Sequence, residues 1–336
     1  MIRQLSKILF IVLLYSFWGC EKDNITEEEE QRDEITYVTI SNNIHNINSQ
    51  AVEKTIKFPE DTENIEEILM YVKLRCPNGK CGAWDVYSNV RAQTVTTNTW
   101  YEIGRFITPY GVDNSQRNDG FVFDVTDFKS ILKGFVNIRS FVEVWTEEGW
   151  FVSIEFKLTR GEPTYKYTEV VPIINYADNS QQIPYGKSSP SNFKLNGYIT
   201  IPSNTENLKV RTVITGWGHA TPGDGDRRCA EWCFRVHNLK MGENNFAHEM
   251  DALGCSSNPI SPQSGNWEPD RAGWCPGMEV PIREDILPGN NAGEKLSFNY
   301  ELEEWLSDEK EGNAFYSISS YVIVGSNTEI TKPIVE

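Results

Sequence analysis

Positive charge is the scarce ingredient of this 336-residue sequence: 31 lysines and arginines stand against 48 acidic residues, for a formal net charge of −17. Such a surface repels phosphate backbones and anionic headgroups, so neither nucleic acid nor an anionic membrane is an expected partner. Histidine is scarcer still, at four, which leaves mononuclear zinc or copper chemistry short of ligands. Helical periodicity is sparse, with short candidates only near 127–133 and 302–310, and this turns the fold class towards strands. Beyond the N-terminus, no apolar run is long enough to cross a bilayer.

The one sustained apolar stretch, Ile8 to Trp18, follows Arg3 and Lys7 and ends in Gly19-Cys20. It is short for a membrane span and has the build of a secretion signal; a small residue before cysteine resembles a bacterial lipoprotein cleavage site. Residues 1–19 are therefore expected to be a signal peptide, with Cys20 the lipidated first residue of the mature chain. An ordinary secretory signal is the alternative, because Phe17 and Trp18 make a poor lipobox. EKDNITEEEEQRDE follows, with 8 acids and 2 bases. Such composition cannot bury a core, so 20–37 is expected to be a tether. Acid directly behind a lipidated cysteine also resembles the surface-export signal of some Gram-negative lipoproteins, placing the body at the outer membrane, on the cell surface or in the periplasm.

Strand signals fill the remainder. VYSNVRAQTVTT, SFVEVWTEEGWFVSIEFKLT, YKYTEVVPIINY, FKLNGYITI, KVRTVITGW and FYSISSYVIVG are rich in β-branched and aromatic residues and are broken by turn residues. WTEEGW, at 145–150, has the composition of a hairpin tip. The length suggests two domains rather than one. The boundary is expected near Gly161-Glu162-Pro163, giving domains over 38–163 and 164–336 built as sandwiches or jelly rolls.

Six cysteines remain beside Cys20: Cys76, Cys81, Cys229, Cys233, Cys255 and Cys275. An even number in an exported chain implies disulfides, and sequence leaves their connectivity open. Pairing of neighbours is the simplest, and Pro-Asn-Gly-Lys between Cys76 and Cys81 is a turn sequence. Cys229 and Cys233 could instead hold zinc with His237, although no fourth ligand stands in that stretch.

Three acids keep unusual company. Glu143 lies in Phe141-Val142-Glu143-Val144-Trp145, where period-two geometry puts Phe141, Glu143 and Trp145 on one face. Aromatic planes suit the apolar faces of pyranose rings, and a carboxylate between them accepts hydroxyl or amide hydrogen bonds. Asp85 follows Trp84 just after Cys81, and Glu231 sits between Cys229 and Cys233 before Trp232. A closed cysteine loop beside an acid is a way to hold a catalytic carboxylate in place.

RRCAEWCFRVH, with GWGHATPGDGD before it and NWEPDRAGWCPGMEVP after it, resembles the C-terminal domain of bacterial peptide:N-glycosidase F. LRCPNGKCGAWDVYSNV, TWYEIGRFITPYGV, DVTDFKS and YKYTEVVPIINY resemble its N-terminal domain, and the likeness runs from about Thr55 to Val335. The resemblance implies two side-by-side antiparallel eight-stranded jelly rolls, neighbour disulfides 76–81, 229–233 and 255–275, and no metal or cofactor. It implies a glycoamidase that cuts the amide between asparagine and the first N-acetylglucosamine of an N-glycan, acting on N-glycoproteins and N-glycopeptides, as a monomer. Asp85 would be the principal general base, Glu231 would orient the water or handle the second proton, and Glu143 would hold the chitobiose. Trp84, Trp145, Trp217, His219, Arg271 and Trp274 are candidate walls of the sugar site. One loop departs from the family's Cys-Asp-Glu-Trp-Asp-Arg pattern: Cys81-Gly82-Ala83-Trp84-Asp85-Val86. Val86 is expected to weaken substrate binding, because it cannot donate the hydrogen bonds of an arginine. A glycan-binding lipoprotein of little or no activity, or an endoglycosidase, are the other readings.

Overall fold

Alternation of apolar and polar residues builds the first half of the fold. The computed structural model describes residues 35–176, 182–187 and 193–336; the expected signal peptide, Cys20 and nearly all of the tether lie outside the described residues. Eight strands come first: β1 (Ile35–His45), β2 (Ala51–Lys57), β3 (Ile65–Arg75), β4 (Tyr87–Thr94), β5 (Tyr101–Ile107), β6 (Phe121–Asp124), β7 (Phe135–Val142) and β8 (Trp150–Arg160). They form two antiparallel four-stranded sheets in the orders β1-β8-β3-β6 and β2-β7-β4-β5. Ile68, Met70, Val72 and Leu74 of β3 and Val152, Ile154, Phe156 and Leu158 of β8 all point into the space between the sheets. Each such side chain taken from water contributes roughly 1.5–3 kcal/mol before conformational entropy is charged against it.

The second half repeats the plan. Its strands are β9 (Tyr167–Tyr176), β10 (Ile183–Pro184), β11 (Asn196–Thr200), β12 (Asn207–Trp217), β13 (His219–Asp224), β14 (Arg227–Ala230), β15 (Val236–Met241), β16 (Asn244–Glu249), β17 (Ile282–Ile286), β18 (Lys295–Glu301), β19 (Phe315–Ser326) and β20 (Ile334–Val335). One sheet runs β10-β19-β12-β17 with β9 also paired to β19, the other β16-β15-β18-β11-β20, and β13 and β14 make a separate hairpin. The molecule is two jelly rolls, all β.

Strands buried on both faces mark where the rolls meet. β5 is buried at every residue and β19 at nearly every one. A polar cluster crosses this seam. Arg105 pairs with Glu102 at 2.7 Å and donates to Thr215 and to the Ser317 carbonyl, at 3.0 and 2.7 Å. Tyr321 accepts from the Glu102 backbone N–H at 2.7 Å, and Ser319 donates to the Glu102 carboxylate. Burial works against a charge on Glu102, but Arg105 and the hydroxyl donors outweigh it and hold the carboxyl below its ordinary range.

Two local expectations fail. WTEEGW is not a hairpin tip: β7 and β8 belong to different sheets, and residues 145–149 cross from one to the other. Residues 302–310 are irregular rather than helical. Their polar groups are spent on the β13–β14 hairpin: the Asp308 N–H donates to the Thr221 carbonyl and the Trp305 indole to the Pro222 carbonyl. Near 127–133 helix is limited to the single 3-10 turn Thr126–Phe128.

Candidate active site

Asp85 is held by what precedes and follows it. The Cys76–Cys81 disulfide closes the turn upstream, and the loop is pinned by the Gly82 N–H on the Gly149 carbonyl. A Cβ on Gly82 would lie 2.4 Å from two ring carbons of buried Trp150, so only glycine fits there. The acid of the family pattern has no room unless the indole moves. Downstream, Thr108 accepts from the Val86 N–H and donates to the Trp84 carbonyl, each at 2.9 Å.

Glu231 comes from the other roll. It follows β14 inside the Cys229–Cys233 disulfide loop. Its N–H donates to the Gly218 carbonyl, and its own carbonyl accepts from Ala272, the neighbour of Arg271. Gly218 has φ +92° and passes so close to the Asn313 carbonyl that a side chain is excluded. Backbone bonds thus set Glu231 and Arg271 beside one another.

Arg271 joins the two rolls chemically. Its guanidinium is 1 % exposed, donates to Asp85 Oδ2 at 3.1 Å and sits with Nε 3.7 Å from Glu231 Oε1. It also donates to the Tyr110 hydroxyl at 3.0 Å and the Pro269 carbonyl at 2.8 Å, and lies 4.4 Å over the Trp232 ring. Burial nevertheless pushes Asp85 up to about 7, against the pull of Arg271 and the Tyr110 hydroxyl. A carboxylate so poised gains and loses a proton near neutrality, as a general base must.

Glu143 lies one residue beyond β7, its N–H bonded to the Tyr87 carbonyl two residues after Asp85. Burial alone pushes its carboxyl up to about 7. The folded value stands above the ordinary 4.5, so the folded state keeps a proton that the unfolded chain has lost. This residue's share of stability therefore falls as pH rises from about 4.5 to about 7. Glu143→Gln is expected to be more stable than the parent near pH 8 by about 2–3 kcal/mol, the gain vanishing near pH 4. Urea unfolding across that pH range measures it, and a gain that does not change with pH would contradict the assignment.

The aromatic candidates separate into rim and backing. Trp84, its ring 6.5 Å from that of Tyr110, and Trp145 are 52 % and 55 % exposed, and Trp217 is partly buried against Tyr87 and Trp274. Trp274 is a correction: it is fully buried, its indole N–H bonded to the Gly216 carbonyl, so it backs the site instead of walling it. Arg271, equally buried, acts on the acids rather than lining the sugar site. His219 is exposed and touches Glu231. Tyr110 was missed by sequence reasoning; an isolated tyrosine in ITPYGV carries no signal of its own.

Val86 is a second correction. It is 2 % exposed and packs in the N-terminal core, so it faces away from substrate. Val86→Arg would bury an unpaired guanidinium at a cost of about 3 kcal/mol or more. The expected result is a melting temperature lower by roughly 6–12 °C; an unchanged melt with a lower KM would restore the discarded role. The zinc alternative also fails, because both sulfurs are in the disulfide and His237 is buried against Tyr316, its Nδ1 accepting from the Glu303 N–H.

Comparison of sequence and fold with known proteins points to one family. The profile "Peptide-N-glycosidase F, N terminal" covers residues 87–158, and "Peptide-N-glycosidase F, C terminal" covers 185–323. The chain is 48% identical over 291 residues to peptide-N(4)-(N-acetyl-beta-D-glucosaminyl)asparagine amidase F of Elizabethkingia miricola, covering 85% of this chain and 82% of that protein. PNGase F of Flavobacterium meningosepticum, described as a glycosylasparaginase, superposes with a TM-score of 0.85 at 45% identity over 90% of this chain and all of that one. PNGF-II, at 17% identity and a TM-score of 0.68 over 89% of this chain and 66% of its own, shares the fold. With both family profiles matched in order and a relative this similar over most of its length, the chain belongs to the peptide-N-glycosidase F family.

Proposed function

We propose that this protein is a glycoamidase, hydrolysing the amide between an asparagine side chain and the first N-acetylglucosamine of N-linked glycans. The observation that carries it is Arg271, a buried guanidinium holding Asp85 of one roll and Glu231 of the other, with Asp85 titrating at about 7. Asp85 takes a proton from water as the oxygen adds to the amide carbon. The C–N bond then breaks, nitrogen leaves with the sugar as a glycosylamine, and asparagine becomes aspartate. Glu231 serves the second proton, Glu143 accepts sugar hydrogen bonds, and Trp84, Trp145 and Trp217 offer faces to the chitobiose core. Chemistry of this kind asks for carboxylates and a fixed cation, which Asp85, Glu231 and Arg271 supply.

The mature chain is proposed to begin at lipidated Cys20 and to act as an outer-membrane lipoprotein at the cell surface or in the periplasm, as a monomer. The build of residues 1–19 and the acidic stretch after them support the export and the anchor. Among the described residues no helix is long and apolar enough to cross a membrane. The division at 163/164 is supported by the gap between β8, ending at Arg160, and β9, starting at Tyr167.

Peptide masses of a denatured N-glycoprotein after incubation with the mature protein test the reading. Asparagine converted to aspartate is the expected result. A residual single N-acetylglucosamine would mean an endoglycosidase, and unchanged peptides a glycan binder.

A further inference from the structure

One nitrogen of His219 has two neighbours with incompatible demands. Nε2 lies 3.0 Å from Glu231 Oε2, and the Trp232 indole nitrogen lies 3.2 Å from the same Nε2. An indole N–H can only donate, so that contact requires a lone pair on Nε2. A carboxylate can only accept, so the Glu231 contact requires a proton between Oε2 and Nε2. Nε2 has a single lone pair, so the two contacts compete for it: with the imidazole neutral and its proton on Nδ1, that lone pair is shared, as a bifurcated bond, between the Trp232 N–H and a proton held on Glu231 Oε2. If that proton passes to Nε2, the imidazolium donates to the carboxylate and Trp232 loses its acceptor.

We propose that His219 is a positioning residue that shares one proton with Glu231, and that the Trp232 N–H biases this proton towards the glutamate. Its use rests on the glycoamidase reading. Glu231 is then the acid that protonates the departing nitrogen as the C–N bond breaks, while Asp85 holds the proton taken from water. Asp85 returns its proton through solvent and Glu231 is recharged, so the protons balance over one turnover.

Charged groups of both signs face His219. Its bond to Glu231 raises the imidazole's proton affinity; partial burial, Arg228 and Arg271 lower it. The loop packed on the hairpin adds Glu311, which is paired with Arg228, and Asp308, which is bonded to Thr221 and paired with Lys310. Trp232 also covers the Arg271 guanidinium. The indole that selects the proton's position thus touches the cation that holds Asp85.

The other three histidines, His45, His237 and His248, are buried, so the His219 ring stands apart in 15N NMR of imidazole-labelled protein. Neutral His219 is expected to carry its proton on Nδ1. Trp232→Phe keeps a ring over Arg271 and deletes the N–H. It should move the neutral tautomer towards Nε2–H and raise the His219 titration midpoint by roughly half a unit to one unit, the scale of one hydrogen bond. A wild-type proton on Nε2, or a Trp232→Phe protein with tautomer and midpoint unchanged, would overturn the proposal. Unmoved signals from the three buried rings certify the fold.

Should Trp232→Phe disturb those signals, His219→Gln decides. Its amide oxygen accepts from Trp232 while its NH2 donates to Glu231, fixing the glutamate as a carboxylate. Turnover is then expected to fall roughly tenfold or more with KM within about twofold; unchanged turnover, or a rise in KM alone, would make His219 a wall of the sugar site instead. The NMR arms need no substrate, so their failure is distinct from failure of the glycoamidase reading.

Discussion

Asp85→Asn leaves the protein folded and lowers turnover by roughly a hundred- to ten-thousand-fold. The fold survives because an asparagine oxygen still accepts the Arg271 donor that reaches Asp85 Oδ2 at 3.1 Å. Chemistry does not survive, because the amide cannot take a proton from water. The pH dependence gives the second signature. Asp85 works as a base only when ionised, and its folded value of about 7 means that kcat/KM of the parent falls as pH drops through that value. Residual activity of the variant should lack this limb. Glycopeptide cleavage rates from pH 5 to 9, with circular dichroism as the check on folding, measure both. Parent-like turnover in Asp85→Asn would remove the residue from the reaction.

Arg271→Met has the largest effect expected on stability and a comparable one on rate. Its guanidinium is wholly buried among Asp85, Glu231, Tyr110, Trp232 and Trp274. Deleting it leaves a carboxyl pair without its cation, a loss of about 3–5 kcal/mol when carboxylates are ionised. The sign with pH follows. Removing a cation raises the Asp85 value further above about 7, so the acid limb of any residual activity shifts to higher pH. Protonating the acids relieves the defect, so the stability deficit shrinks towards pH 5. Arg271→Lys should rescue poorly, since one ammonium cannot match donors aimed at Pro269, Tyr110 and Asp85 together. Denaturant midpoints at pH 5 and pH 8 beside the rate profile test this; a deficit equal at both would mean that packing, not charge, is what Arg271 supplies.

Much of this was legible in the residues. The acids Asp85, Glu143 and Glu231 announce themselves by their tryptophan and cysteine neighbours, and the strand runs announce two β domains. Val86 was misjudged because the loop was compared position by position with a family pattern, which says nothing of which side chain enters the core; Val86 stands just before β4 and packs there with Val90 and Ala92 in the same apolar cluster. WTEEGW misled for a different reason. Turn composition marks a change of direction but does not say whether the next strand pairs with the last or joins the opposite sheet. Tyr110 reaches Arg271 across a separation of 161 residues, and the bond between His219 and Trp232 depends on the register of the β13–β14 hairpin; no local pattern encodes either.

The pairing of Glu102 and Arg105 with Thr215, Ser317, Ser319 and Tyr321 across the seam bears on engineering. One roll carries a buried charged pair that is met in part by its own Tyr87 and Asn89 and in part by the other roll's hydroxyls and carbonyl. Grafting either roll onto a foreign partner would strand those charges at a dry junction. A chimera must therefore carry both sides of the cluster, and because Asp85 and Glu231 come from opposite rolls, a mis-seated graft forfeits its catalytic pair as well. The exchangeable module for designed variants of this protein is the two-roll body, with the exposed tryptophans Trp84 and Trp145 as the place to vary.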